Sequence, residues 1–118
     1  MNKLLVVHKD AGIAYLLQQI IQTESTEVHT ASSFEEVETK SQSHEFDVVV
    51  TDISVDGIFT NLYIDFLNKK YANAALIIVS DMDQPKLIKE TESLGVEAFI
   101  GLPLDTQVLN ATISKYLN

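Results

Sequence analysis

The chain has 118 residues, of which 46% are hydrophobic and 21% charged, and this size and composition indicate one globular domain rather than a disordered segment. Its formal net charge of -9 at pH 7 argues against binding to nucleic acid or to an anionic membrane by this domain. The sequence contains no cysteine, which excludes disulfides and thiolate metal sites and favours a cytoplasmic location. Its longest apolar run, Ala74 to Val79, is far shorter than a membrane span. We therefore expect a single soluble domain over residues 1–118.

Five short apolar runs along the chain are predicted to be β-strands, because β-branched and aliphatic residues cluster in them. In chain order these runs are Leu4–Val7, Thr26–Ala31, Val48–Thr51, Leu76–Val79 and Ala98–Ile100. The segments between and after them have the spacing of apolar residues that is typical of helices. The chain is therefore expected to alternate between strand and helix.

The first three helices are predicted from apolar faces and from one cap. In the first helix the residues at i, i+3, i+4 and i+7 form the predicted buried face. These residues are Ile13, Leu16, Leu17 and Ile20. The second helix is predicted to begin at a capping box, with Ser33 as N-cap and Glu36 as its third residue. In the third helix the predicted buried face consists of Leu62, Phe66 and Leu67.

The fourth and fifth helices are predicted from their ends. The fourth begins near Pro85 and ends at Gly95, since proline is favoured in the first turn and glycine just after the last. The fifth has Asp105 as N-cap, with Leu104 and Leu109 placed as a hydrophobic staple. Strict alternation in so short a chain predicts a parallel sheet with helices on both faces. Right-handed crossovers and five strands favour the flavodoxin-like α/β fold with strand order 2-1-3-4-5.

Polar residues that follow the strands are predicted to meet at one edge of this sheet. Ligands of such sheets bind beyond the C-terminal strand ends, at the switch between the first and third strands. His8, Lys9 and Asp10 follow the first strand, and Asp52 follows the third. The residues Ser80, Asp81 and Leu102 end the neighbouring strands at the same edge. Asp52 is therefore either a turn cap or the centre of a site.

Other site chemistries are not supported by the residues at this edge. A Walker loop, a zinc-protease helix and a G-x-S-x-G elbow are absent from the sequence. The loop after the first strand contains one glycine, Gly12, which does not make a glycine-rich phosphate cradle. Ser54 stands where a haloacid-dehalogenase-type phosphatase needs its second acid. The histidines His8, His29 and His44 lack metal-ligand spacing.

With these features in place, the chain resembles the receiver domain of two-component response regulators from Lys3 to Leu117. The resemblance implies that Asp52 is the candidate phosphoryl acceptor, Ser80 the switch hydroxyl and Phe99 the switch aromatic residue. It also implies a proline after the fifth strand, usually in a cis bond, which matches Pro103.

The chain departs from this family at the residues that handle charge. Where the family has two adjacent acids that hold a magnesium ion, this sequence has His8 and Lys9. Leu102 replaces the lysine that contacts the phosphoryl oxygens, and Asp81 replaces a small residue. Since phosphoryl transfer depends on cations around the phosphoryl oxygens, we expect impaired phosphoryl acceptance. The predicted degenerate pocket consists of His8, Lys9, Asp81, Leu102 and Pro103.

Two replacements for the lost cation stay open. In one, Lys9 places its ammonium near Asp52 as a point charge. In the other, Asp10, Asp52 and the Ser54 carbonyl form a weak magnesium site. No cofactor is expected, and weak magnesium binding is the alternative.

The leading interpretation is a divergent receiver that is not an enzyme and acts as a protein-interaction module in two-component or phosphorelay signalling. Its expected partners are a histidine kinase or another signalling protein, with no nucleic acid and no membrane. The resemblance implies that the face of the fourth helix, fifth strand and fifth helix mediates dimerisation or effector contact, and a simple solvated face is the alternative; these segments span 84–94, 98–101 and 106–117. The tyrosines Tyr63, Tyr71 and Tyr116 are predicted either to be exposed contact residues or to lie over the core. The alternatives are a functional receiver phosphorylated on Asp52 and a small-ligand-binding module at the switch-point pocket.

Overall fold

Strands and helices alternate strictly along the computed structural model, which describes residues 2–117 apart from the side chain of residue 43. Met1 and Asn118, which the predicted domain of 1–118 includes, lie outside the described residues. The strands are β1 (Asn2–Val7), β2 (Thr26–Ala31), β3 (Val48–Thr51), β4 (Ala75–Ser80) and β5 (Ala98–Gly101). The helices are α1 (Ala11–Ile21), α2 (Phe34–Ser43), α3 (Thr60–Lys70), α4 (Pro85–Ser93) and α5 (Thr106–Ser114). The predicted strands are thus confirmed, with β2 and β3 at their predicted bounds.

The strands form one parallel sheet in the order β2-β1-β3-β4-β5, which confirms the flavodoxin-like topology. All four residues of β3 are buried, because helices cover both faces of the sheet. Val7 pairs with Thr51, and Thr51 pairs with Ile78. This register places the ends of β1 and β3 side by side, so that the residues that follow them meet.

The core consists of two clusters on opposite faces of the sheet, because successive strand residues point to opposite sides. Leu4 and Val50 belong to the cluster that also contains Leu17 of α1 and Leu109 of α5. Leu5 and Val49 belong to the other cluster. Its helical members include Val37 of α2 and Tyr63, Ile64 and Leu67 of α3, with Leu87 and Leu94 packed against it. The sheet is therefore the middle layer of three.

The predicted caps of the helices are confirmed. The Ser33 side chain accepts a hydrogen bond from the backbone N–H of Glu36 at 3.2 Å, and Asp105 accepts from that of Gln107 at 2.9 Å. Pro85 lies in the first turn of α4. Gly95 follows α4 with a φ of 97°, a left-handed conformation that glycine adopts without strain.

The buried faces of α1 and α3 differ from the predicted ones. Ile13 and Leu16 were expected in the core but are 42% and 55% exposed, whereas Ala14, Leu17 and Ile21 are buried. The buried face of α1 thus includes Ala14, which packs in the core cluster of Leu4 and Val50 and contributes little to an apolar pattern. In α3 the buried residues are Tyr63, Ile64 and Leu67, and Leu62 is 57% exposed.

The prediction that Tyr63 and Tyr71 are exposed contact residues is wrong. Their exposed fractions are 0% and 4%, since each ring packs in the core while its hydroxyl finds a polar partner. The Tyr63 hydroxyl lies 2.6 Å from Thr51 Oγ1, and the Tyr71 hydroxyl donates to the Val37 carbonyl. Tyr116 is half-buried and packs against the core cluster that contains Leu4 and Val50. Among residues 2–117, no helix is long and apolar enough to cross a membrane.

Two neighbouring residues of α5 should differ sharply in their effect on stability. Leu109 is fully buried and Val108 is 48% exposed. We expect Leu109→Ala to lower the free energy of unfolding by about 2–5 kcal/mol, since it removes buried methyl groups and leaves a cavity. Val108→Ala should change it by less than about 0.5 kcal/mol. Urea denaturation of both variants measures the difference, and equal losses would contradict the assigned helix face.

Stability at high pH should depend on Tyr71. Burial raises the pKa of Tyr71 from 10.0 to about 12, so folding favours the protonated phenol. The resulting contribution is complete below pH 10 and is lost as the pH rises through about 12. Over that interval, we expect the free energy of unfolding to fall less steeply in Tyr71→Phe than in the wild type. Denaturant titrations across the interval measure both slopes, and parallel slopes would contradict the assignment.

Candidate functional site

The C-terminal edge of the sheet brings together most of the predicted site residues. One cavity of about 260 Å³ is lined by His8, Lys9, Asp10, Ile13, Asp52, Val79, Ser80, Asp81 and Leu102. A neighbouring cavity of about 250 Å³ is lined by Lys9, 52–57, Asp81 and Met82. Asp52 lines both cavities. Phe99 and Pro103, which the resemblance also implicated, line neither cavity.

Asp52 is held by the end of β3 and uses its two carboxylate oxygens differently. Its backbone N–H donates to the Val7 carbonyl at 3.4 Å, which continues the pairing between β1 and β3. Oδ1 accepts a hydrogen bond from the backbone N–H of Ile53 at 2.7 Å. Oδ2 lies 3.8 Å from Nε2 of His8. One oxygen is therefore occupied by the local turn, and the other faces an imidazole.

His8 is oriented toward Asp52 by its own backbone neighbour. Nδ1 of His8 accepts a hydrogen bond from the backbone N–H of Asp10 at 3.0 Å, so the proton of the neutral ring lies on Nε2. This N–H group is the one nearer to Asp52, although 3.8 Å is too long for a direct hydrogen bond. Sequence reasoning missed this role, because a lone histidine at a strand end carries no motif.

Lys9 lines both cavities but forms no ion pair. Of the carboxylates in residues 2–117, none lies within 4.0 Å of its ammonium, whereas Asp52 has an ion-pair distance to His8. The ammonium of Lys9 is exposed, so water screens its charge. The side chain positioned against Asp52 is thus the imidazole of His8, and the pairing of Lys9 with Asp52 stays a prediction.

Asp10 is the N-cap of α1. Its Oδ1 accepts hydrogen bonds from the backbone N–H groups of Gly12 at 2.8 Å and Ile13 at 3.2 Å. These two donors are among those that every helix leaves unpaired at its first turn. The Asp10 carboxylate therefore stabilises the start of α1, and this contact accounts for an acid at this position without a metal.

The loop after β3 is fixed by two contacts and by an uncommon backbone conformation. Asp56 and Gly57 have φ values of 55° and 71°, both in the left-handed region, which aspartate tolerates better than most residues. Asp56 Oδ2 accepts from the backbone N–H of Phe34 at 2.7 Å, which ties the loop to the start of α2. The Ser54 hydroxyl donates to the Ile58 carbonyl.

The two switch positions lie on β4 and β5. Ser80 is buried, and its hydroxyl oxygen accepts from the backbone N–H of Met82 at 3.1 Å. Phe99 is half-buried and packs against the cluster that contains Leu5 and Val49. The peptide bond between Leu102 and Pro103 is cis, as the resemblance implied. Leu102 itself is 44% exposed at the mouth of the cavity.

These residues fit a magnesium ion poorly. Mg²⁺ is held by one or two carboxylates together with waters and substrate oxygens, in near-octahedral geometry. At this edge Asp52 has one oxygen in a hydrogen bond and the other facing His8, while Oδ1 of Asp10 is occupied by the helix cap. Imidazole is a weaker ligand than oxygen for Mg²⁺. Magnesium binding through Asp10, Asp52 and Ser54 stays a prediction.

Comparison with known proteins gives one family. A family model described as the response regulator receiver domain matches residues 4–114. No curated protein matches the chain.

Solved structures of similar fold include the chemotaxis protein CheY4 of Vibrio cholerae, with a TM-score of 0.86 and 21% identity over 99% of each chain. A two-component response regulator from Clostridium difficile has a TM-score of 0.89 and 15% identity, over 98% of this chain and 95% of that one. The response regulator TrrA of Thermotoga maritima, solved with Mg²⁺ and BeF, has a TM-score of 0.82 and 26% identity over 99% of this chain and 100% of that one.

Removing the Asp10 carboxylate should affect stability through the helix cap. We expect Asp10→Ala to lower the free energy of unfolding by about 1 kcal/mol, because two backbone N–H groups lose their partner. Asp10→Ser should lose much less, since a serine oxygen also caps a helix. Thermal and urea denaturation measure both variants. If alanine and serine cost the same, the cap does not explain this residue.

Proposed function

The chain belongs to the response regulator receiver domain family, and on this basis we propose that it is a divergent receiver that accepts a phosphoryl group poorly at Asp52. In this proposal it acts in two-component signalling as a protein-interaction module rather than as an enzyme. Its partner is a histidine kinase or another signalling protein. The position of His8, with Nε2 at 3.8 Å from Asp52 Oδ2, carries the proposal.

The chemistry at Asp52 supports this proposal. Transfer of a phosphoryl group to a carboxylate brings anions together, and cations around the phosphoryl oxygens lower the barrier. The residues that line the cavity beside Asp52 include His8, the apolar Leu102 and the carboxylate of Asp81. Lys9 is the one permanent cation among the residues that line the two cavities, and it is exposed. The site therefore offers few fixed positive charges to the phosphoryl oxygens, and it has no adjacent pair of acids after β1 to hold a metal cation.

Exposed apolar side chains near the same edge support a role in protein contact. Phe59 at the start of α3 is 75% exposed, and Met82 after β4 is 48% exposed. Single exposed apolar residues are ordinary, but several around one edge are typical of a contact surface. Ile13 and Leu102, which line the cavity at Asp52, are exposed as well.

A homodimer is part of the same proposal, through the face formed by α4, β5 and α5. This face carries both signs of charge, including Lys86, Glu90 and Lys115, all exposed. Mixed charges on one face permit salt bridges between two copies related by a twofold axis. A cytoplasmic location, which the cysteine-free sequence predicts, also belongs to the proposal.

Phosphoryl acceptance can be measured directly. The purified protein is incubated with a small phosphodonor and Mg²⁺ and examined by intact-mass spectrometry, with Asp52→Asn as control and a standard receiver treated in parallel. We expect no phosphoryl adduct in the wild type above the level in Asp52→Asn. A stoichiometric adduct that disappears in Asp52→Asn would overturn the proposal and favour a functional receiver.

The reason for poor acceptance can be tested by restoring the missing groups. The triple variant His8→Asp, Lys9→Asp, Leu102→Lys supplies two acids and a lysine at the positions where the family has them. We expect this variant to form the adduct at Asp52, and the further change Asp52→Asn to abolish it. If a folded triple variant is labelled no better than the wild type, the lost charges do not explain the behaviour of the site.

A further inference from the structure

A cluster of two histidines and one glutamate lies at the opposite side of the sheet from β5, away from Asp52. Glu27 and His29 are two residues apart on the edge strand β2, so their side chains share one face. His44 is the residue that follows α2, and its backbone N–H donates to the Lys40 carbonyl. One ligand atom from each of the three lies within 4.8 Å of the others. The fold brings them together although their sequence spacing gave no sign of it.

The three side chains of the cluster contact one another directly. The Nε2–H group of His29 donates a hydrogen bond to Oε2 of Glu27 at 2.9 Å. The rings of His29 and His44 are 4.3 Å apart and tilted by 42°. Nδ1 of His44 is buried and has no hydrogen-bond partner, the one such side-chain atom in the described part of the chain. Buried polar atoms are nearly always paired, so an unpaired one calls for an explanation.

Aromatic packing explains the position of the two rings but not the unpaired nitrogen. Phe46 lies 5.6 Å from the His29 ring and 5.8 Å from the His44 ring, and it in turn packs on Tyr71 at 5.6 Å. A cluster held only by ring contacts would be served as well by a phenyl group at residue 44. An imidazole with a free nitrogen beside a carboxylate is instead the chemistry of a metal ligand.

We propose that Glu27, His29 and His44 bind one divalent transition-metal ion of the zinc type. Two imidazoles and a carboxylate are a common three-residue set for Zn²⁺, with water as the fourth ligand. Mg²⁺ and Ca²⁺ prefer all-oxygen sites, so the two imidazoles disfavour them. All three residues are half-buried, which leaves the ion a path from solvent.

The geometry needs only a small closure. Zn–N and Zn–O distances of about 2.0–2.1 Å in a tetrahedron place ligand atoms about 3.3 Å apart, and the cluster spans no more than 4.8 Å. The ion would take the place of the proton between His29 Nε2 and Glu27 Oε2.

One neighbouring group opposes binding and offers a test. The ammonium of Lys3, on β1, lies 3.8 Å from Glu27 Oε2, where it would repel a metal cation. Removing this charge should therefore strengthen binding. A bound ion would join β2 to the segment between α2 and β3, so it would also stabilise the fold by mass action.

The site is tested by titrating the untagged full chain with Zn²⁺ by calorimetry in a non-chelating buffer. We expect one Zn²⁺ per chain in the wild type, at least tenfold weaker binding in Glu27→Gln and His44→Ala, and tighter binding in Lys3→Gln. The matched control is His8→Ala, which removes the one histidine of the chain that lies outside the cluster. This variant should bind Zn²⁺ as the wild type does. Circular dichroism tests whether each variant is folded. Glu27→Gln is expected to fold, because it changes a half-exposed side chain at the sheet edge.

Two further readouts decide the result. Zn²⁺ should raise the melting temperature of the wild type and of His8→Ala but not that of Glu27→Gln, and it should shift the imidazole NMR signals of His29 and His44. Absence of saturable binding by the wild type would overturn the proposal. So would an equal loss of affinity in His8→Ala, because the ion would then lie at the Asp52 edge. None of these outcomes depends on whether Asp52 accepts a phosphoryl group.

Discussion

The burial of β3 on both faces, in register between β1 and β4, is the constraint on which the candidate site depends. All four residues of β3 are buried, and Thr51 is paired with Val7 on one side and Ile78 on the other. Slipping this register by one residue would bring the carboxylate of Asp47 or Asp52 into the buried part of the strand, which is costly for a charged group. The strand therefore has one register in the sheet. Asp52 directly follows Thr51, the last residue of the strand, and so lies at the sheet edge beside His8. Thr51 reinforces this through its hydroxyl, which lies 2.6 Å from that of Tyr63 on α3.

The topology was predictable because its determinants are local. Runs such as Val48–Thr51 are short and β-branched, helix ends carry Ser33, Pro85 and Asp105, and alternation leaves few ways to connect the elements. Helix rotation was less predictable, since it depends on which residue meets the sheet most closely. Ala14 and Tyr63 occupy those places in α1 and α3. An apolar pattern ranks alanine and tyrosine below leucine, so it pointed to the neighbouring face.

The site was predictable as a location but less so as a set of contacts. Parallel strands end at one edge, and that rule alone brought together His8, Asp52 and Ser80. The contacts that set their chemistry come from backbone groups that no motif displays. The N–H of Asp10 fixes the His8 ring, and helix capping occupies the Asp10 carboxylate. Similarly, Glu27, His29 and His44 are neighbours only because a strand and a helix end meet in the folded chain.

The two outer strands of the sheet have a consequence for the behaviour of this protein at high concentration. An edge strand presents unpaired N–H and C=O groups, to which another chain can add. β5 is only four residues long, and Leu102 and Pro103 follow it directly, so it offers little length for intermolecular pairing. β2 has six residues and is the more vulnerable edge. The half-exposed Glu27 carboxylate, with Lys3 beside it, places charge on this edge strand. This charge disfavours edge-to-edge pairing of sheets from different molecules, and so disfavours aggregation.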